Sequence, residues 1–532
     1  MRAVVAAFAA CACLAACTRV TQTKPTGNEL IIAQLQEPRS LNPLYLDGYV
    51  GGEINGLVYS FLTTYDGSGR IVPQVAASVP TLSNGGISRD GRRVTYHLRH
   101  DVRWQDGAPL TARDVAFSFE AIMKPQNATL SRYGYDAIAS VHAVDTYTVR
   151  VDLHKPFAAI VPYFFGGDSN YGILPAHLLA RYPSLNAVAF NGMPVGSGPY
   201  RVADWMRGDH ITFEANPTFF LGKPAIARIV IKFVPDTQTI VNQLRTGEVN
   251  ADFFADVSHI DEVRSIPAHR LVESATTQFG TLQIDTEDPL MREPAVRRAL
   301  AMAIDRHAIT EKIFKGVYAA DTAMQSLFTW AYDPTAGTIP FDPARAERLL
   351  TDHGWRLDSD GIRYRDGKAL SATLLEISGS AASSSVANLI AAEAARIGMR
   401  LTMKAVTPLL ITSPSGPLYR GRFQVAQFTE QSSVDPDVAW IVGCDQRAPH
   451  GFNFTRYCDR TTQRLLDDAS SAVDRARRLH DYAQVQRRLL AAVPMIFLYQ
   501  VKELDAIPDN LRGYSQSMYT SPYTSVYRWT LR

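Results

Sequence analysis

Residues 94–123 read VTYHLRHDVRWQDGAPLTARDVAFSFEAIM. Val94, Tyr96 and Leu98 alternate with Thr95, His97 and Arg99, the twofold period of a strand buried on one side. Asp106 and Gly107 supply a turn. Thr111, with Asp114 three residues later, forms a capping box and predicts a helix with an apolar stripe through Val115, Phe119, Ile122 and Met123. A second alternating run, Tyr147, Val149, Val151 and Leu153, predicts a strand paired beside the first. Physics gives strand, turn, helix and strand here. A chain of 532 residues has room for two or three such domains.

The stretch also carries a wording, LR.DV.W.DG.PLTA.DV.FSFE over residues 98–120. It resembles the signature of the family 5 solute-binding proteins of ABC importers, which take up dipeptides, oligopeptides, nickel and related solutes. Further segments resemble the family in collinear order, from about residue 30 to 530: EPRSLNPLYLDG at 37–48, ILPAHLL at 173–179, VGSGPYRVADW at 195–205, PAVRRALAMAIDR at 294–306 and RRLLAAVPMIFLYQV at 487–501. The resemblance implies an α/β, two-lobed periplasmic-binding-protein-like fold of the class II type with an extra inserted α+β domain. The expected division places domain I at 29–60, 188–275 and 495–532. The inserted domain II takes 61–187, and domain III, the C-terminal lobe, takes 276–494.

The beginning of the chain, MRAVVAAFAACACLAAC, has one basic residue, an apolar run to Leu14 and small residues before Cys17. It resembles the signal peptide and lipobox of bacterial lipoproteins, which implies residues 1–17 as signal, lipidation of Cys17 and a cell-envelope protein facing the periplasm or the exterior. The apolar run is shorter than the roughly 20 residues a spanning helix needs, so contact with the membrane is expected through the lipid anchor only. Thr18 to Asn28 reads as a polar tether. With Cys11 and Cys13 lost and Cys17 lipidated, Cys444 and Cys458 are left, either bridged or two buried thiols.

Net charge is +2 with 20% charged residues, which offers no argument for nucleic acid. The sequence has no HExxH, GxSxG or GxxxxGK[ST] pattern. His307 and Glu311 stand at helical spacing, the pattern of a solvated surface pair. Neither a catalytic constellation nor a metal or cofactor site emerges; two cysteines and His450 make a poor zinc set. We therefore expect a monomeric binding protein rather than an enzyme, with a peptide or other small solute and the transmembrane subunits of an ABC permease as partners. A ligand-sensing envelope lipoprotein without a transport role is the alternative, and an envelope hydrolase a more remote one.

In the peptide-binding relatives, the ligand's ammonium meets an aspartate just before a DP pair. The matching stretch is QFTEQSSVDPDVAW, Gln427 to Trp440. Anchored on Asp435-Pro436-Asp437, the expected position holds Ser432, a departure from the family. Glu430, two positions earlier, is the carboxylate that would substitute. Asp435, Trp440, Tyr45, Trp330 and Tyr332 are further candidates for the cleft, fitting a largely apolar pocket with few polar anchors. The loop Cys444 to Cys458 resembles the disulfide-closed loop of dipeptide-type relatives, with Arg447 or Arg456 as a fork for a ligand carboxylate.

Elsewhere, Glu29–Gln36 reads as a strand, and Gly196 and Gly198 as a tight path of positive φ. Asp236 is expected to cap a helix ending at Gly247, Pro294 to begin one, and Asp342 to cap one ending at Gly354. SATLLEI at 371–377, a helix near Ser385 to Ile397, and LTMKAV at 401–406 form a β-α-β unit, with Ser378–Ser385 taken as a loop.

Overall fold

The computed structural model of the chain describes residues 28–532, except 47, 130, 170, 322, 324–328, 412, 473, 517 and 520. Cys17, the leader and the tether to residue 27 therefore lie outside the described residues. Two long antiparallel strands, His269–Ile284 and Met495–Pro508, organise the rest. They are the spine of an 11-stranded sheet. At one end, strands Ala251–Asp252, Glu29–Gln34, Arg228–Phe233, His210–Ala215 and Tyr200–Met206 follow in that order. On the other side come Val425–Gln431, Ser371–Ile377 and Arg400–Val406, and the eleventh strand, Ala319–Ala320, pairs with Met495–Pro508 off this path.

The register of the two long strands shifts between Ala275 and Phe279 and again between Gly280 and Thr281, so residues 269–275 pair with 502–508, residues 279–280 with 499–500 and residues 281–283 with 495–497. An extra residue on one side bends and twists a strand. Here the side chain of Gln500 pins the irregularity, its Nε2 donating to the carbonyls of Thr276 and Gln278, while Thr276 Oγ1 donates to Val501 O at 2.7 Å.

Apolar packing separates into two lobes around this crossing. The first gathers Leu30, Ile32, Tyr59, Val94, Tyr96, Ile122, Val151, Phe213 and Ile231 with Ile507 and Trp529. The second holds clusters around Leu282, Leu300, Leu374 and Ile390, around Phe279, Leu466, Tyr482 and Leu489, and around Tyr419, Phe423 and Phe454.

Residues 94–123 fold as their pattern predicts. Strand Arg93–His97 pairs antiparallel with Thr148–Leu153, setting Val94 against Val151 and Tyr96 against Val149, all four buried. Helix Ala112–Met123 begins where Thr111 N–H donates to Asp114 Oδ2 at 2.8 Å. The other oxygen, Oδ1, accepts Ala176 N–H at 2.8 Å, so a buried carboxylate ties the helix start to the following segment. Val115 and Ile122 are buried, whereas Phe119 and Met123 are half-buried against the same core. The helices capped by Asp236 and Asp342 and the one opened by Pro294 are present. Gly247 and Gly354 adopt φ of 77° and 84°.

Two local expectations are corrected. Ser378–Ser385 is not all loop: helix Ala381–Arg396 starts inside it, with Ser380 Oγ accepting Ser383 N–H at 3.2 Å. A serine cap followed by alanines, the best helix formers, explains the early start. Gly196 and Gly198 are not among the residues of positive φ. They are needed for close approach instead, because a Cβ at 196 would lie 1.8 Å from Val58 O and one at 198 would lie 2.6 Å from Leu57 O. Gly198 N–H uses that proximity to donate to Val58 O at 2.8 Å.

Candidate interlobe binding site

Strand Val425–Gln431 runs antiparallel to residues 278–284 and delivers the chain into the loop at 432–438. Ala426, Phe428 and Glu430 share one face by the twofold period. Glu430 is buried, and its Oε1 accepts Gln283 Nε2–H at 2.9 Å. Burial pushes this carboxyl up to about 8. Ser432 is also buried, and both its N–H and its Oγ donate to Thr277 O, at 3.0 and 3.2 Å.

The next five residues are where the lobes meet. Tyr163 OH and Ser433 Oγ share a hydrogen bond of 2.7 Å. Asp168 accepts the backbone N–H groups of Val434 and Asp435, each at 3.1 Å, and Tyr65 OH at 2.8 Å. Tyr133 OH donates to Asp437 Oδ2 at 2.5 Å, and Ala439 N–H donates to Oδ1 at 3.0 Å. Tyr133 also packs against the cores of both lobes. Asp435 pairs with Arg478, whose Nη1 lies 2.9 Å from Oδ2. Arg478 further donates to Ala469 O at 3.1 Å and to Tyr482 OH at 3.2 Å. Burial raises the carboxyls of Asp168 and Asp437, to about 7 and about 6.

The remaining candidates divide. Trp330 lies beneath Arg475 and Arg478, with guanidinium carbons 4.6 and 5.4 Å from its ring, next to the Asp435 ion pair. Trp440 meets Phe452 edge-on at 5.6 Å, and its buried Nε1 has no hydrogen-bond acceptor among the described residues. Tyr45 is elsewhere in the first lobe, donating to Asn186 Oδ1 at 2.8 Å. Tyr332 lines an open groove of about 480 Å³ with Asp333, His480 and Arg487. Arg447 is exposed and pairs with Glu287 at 3.4 Å. Arg456 ties its loop to neighbouring segments: it pairs with Asp285 at 3.7 Å and donates to the carbonyls of Phe454, Leu418 and Tyr419. Cys444 and Cys458 are bridged, with Cα atoms 4.8 Å apart.

The structure thus brings Ser432, Asp435 and Trp330 to the meeting of the lobes. It adds Tyr65, Tyr133, Tyr163, Asp168 and Arg478, which sequence reading did not single out. No local pattern marks these, because Tyr133 and Asp437 are 304 residues apart and Asp168 and Val434 are 266 apart. No set of three or more His, Cys, Asp or Glu among the described residues is arranged to hold a metal ion. No helix among them is long and apolar enough to cross a membrane.

Residues 70–441 match the model for "Bacterial extracellular solute-binding proteins, family 5 Middle". The chain belongs to this family. Among curated family 5 proteins it is similar to the oligopeptide-binding protein AppA of Bacillus subtilis, at 26% identity over 95% of this chain and 92% of that one. The solved structure of AppA with a nonapeptide superposes with a TM-score of 0.86 at 24% identity, covering 95% of this chain and 99% of AppA. NikZ of Campylobacter jejuni, solved with Ni(L-His), gives the same TM-score at 26% identity, covering 95% and 100%. The two-lobed α/β fold is that of the family 5 binding proteins.

Proposed function

We propose that this protein is the lipid-anchored solute receptor of an ABC importer, which captures a peptide or related small polar solute between its lobes and passes it to the permease. Family membership over residues 70–441 supports the general role. The observation carrying the mechanism is the set of hydrogen bonds from the first lobe onto residues 433–437, directly after the position that in peptide-binding relatives contacts the ligand's amine. Domain I and the inserted domain II form one jaw, and domain III, residues 276–494, forms the other. Closure encloses the ligand, and no covalent step is required. Cys17 carries the anchor, the protein acts as a monomer, and its place is the extracytoplasmic face of the envelope.

Peptide is the leading solute class because AppA is an oligopeptide-binding protein of similar sequence. Ser432 refines that reading. A neutral hydroxyl already donating to Thr277 O cannot balance an ammonium, and a buried unpaired charge costs several kcal/mol. The ligand therefore presents a neutral or blocked group at this subsite, or its ammonium reaches Glu430. Native mass spectrometry of the soluble form beginning at Thr18, purified from cells, tests the reading. A family of peptide masses is the expected result. A single non-peptide mass would move the protein to another solute class.

A further inference from the structure

We propose that residues 433–437 are a closure latch: the turn beside the binding position is also the catch onto which Tyr133, Tyr163 and Asp168 of the opposite lobe fasten. The inference rests on the solute-capture reading and adds the groups that hold the closed state.

Three features distinguish this contact from ordinary packing between lobes. It is polar and directed, with two hydroxyls and one carboxylate reaching one five-residue turn. Both ends of it are braced. Tyr65 OH holds Asp168 on one side, while Arg478 holds Asp435 on the other and leaves the turn's amides facing outward to Asp168. Finally, the turn begins one residue after Ser432, whose N–H and Oγ are fixed to Thr277 at the bent crossing of the long strands. Catch, binding position and bend are therefore continuous along a short path. A second contact between the lobes, Ala158 N–H to Ser470 O at 2.7 Å, serves as a separate reporter of closure.

The geometry makes a specific demand. The N–H groups of Val434 and Asp435 donate to Asp168 and not to either tyrosine. Removing the tyrosine hydroxyls can expose those amides only by parting the lobes. Hydrogen exchange followed by mass spectrometry on Tyr133→Phe/Tyr163→Phe reads this directly, since the rings and their packing are retained. We expect exchange to rise about tenfold in fragments covering 433–437 and Ala158, with strand 93–97 unchanged. Asp168→Asn, the second variant, is expected to act on both fragments in the same way. The latch is overturned if the double variant leaves both fragments as in the parent protein. It is equally overturned if the parent already exchanges at 433–437 at open-chain rates, or if Asp168→Asn affects 433–437 and spares Ala158. The readout requires no ligand, so a failure to find co-purifying solute would count against the proposed function and leave this result standing.

Discussion

Glu430 holds a carboxyl in the second lobe with Gln283 as its hydrogen-bond partner and no cation in contact among the described residues. Burial raises its folded-state value to about 8 from an ordinary 4.5, so the folded protein keeps a proton that the unfolded chain releases. Its contribution to stability is complete below the unfolded value and is lost as pH rises through the folded one. The slope approaches about 1.4 kcal/mol per pH unit in that window. Glu430→Gln keeps the shape and removes the titration. Chemical denaturation should show the variant gaining on the parent between pH 5 and pH 8; a constant difference would mean that Glu430 is ionised in the fold. Ser432→Asp makes the opposite change, adding a carboxylate where the resemblance to peptide-binding proteins implies one. It should destabilise the free protein by about 1–3 kcal/mol and strengthen binding of free-amine dipeptides in calorimetry. Unchanged or weaker dipeptide binding would detach Ser432 from the amine position. Both residues can be singled out as candidates from sequence because they sit beside a DP pair in a recognisable stretch. Asp168, Tyr133 and Tyr163 cannot, because what qualifies them is a neighbour hundreds of residues away.

Secondary elements were readable where a local rule and the core agree. Thr111 and Asp114 satisfy a capping box, and the fold gives Asp114 a second task in accepting Ala176 N–H. Asp114→Ala removes both acceptors from a buried site and should cost about 2 kcal/mol in urea unfolding, more than an exposed cap of the same type. A loss of only a few tenths would show that the Ala176 contact contributes nothing. The helix at Ala381–Arg396 begins earlier than its sequence suggests, because a run of serine and alanine looks like a low-complexity loop. The fourfold register of its buried Ala382, Val386 and Ile390 starts inside that run. At Gly196 the residue type was legible and its reason was not. A tight turn and a carbonyl pressed against the chain both select glycine, and only the position of Val58 distinguishes them.

At the scale of the molecule, separate lobes are joined by two strands that run unbroken through both, so the closure proposed above requires bending somewhere along them. The register shifts at 275–279 and at 280–281 are where pairing is already interrupted, and the first spans the longer stretch. Hinges work by letting a few residues absorb the backbone change. Gln500 controls how freely they do so, since its amide satisfies two carbonyls that the ladder leaves over, and it is itself buried. Gln500→Leu preserves bulk while stranding those carbonyls, each worth about 1–3 kcal/mol if left unpaired. The folded protein can avoid that penalty by opening the crossing to water. Hydrogen exchange should therefore accelerate in fragments spanning 275–279 and 499–502 before any change in strand 93–97. A uniform acceleration across both lobes would instead make Gln500 an ordinary core residue, and the bend would have to be sought elsewhere along the crossing strands.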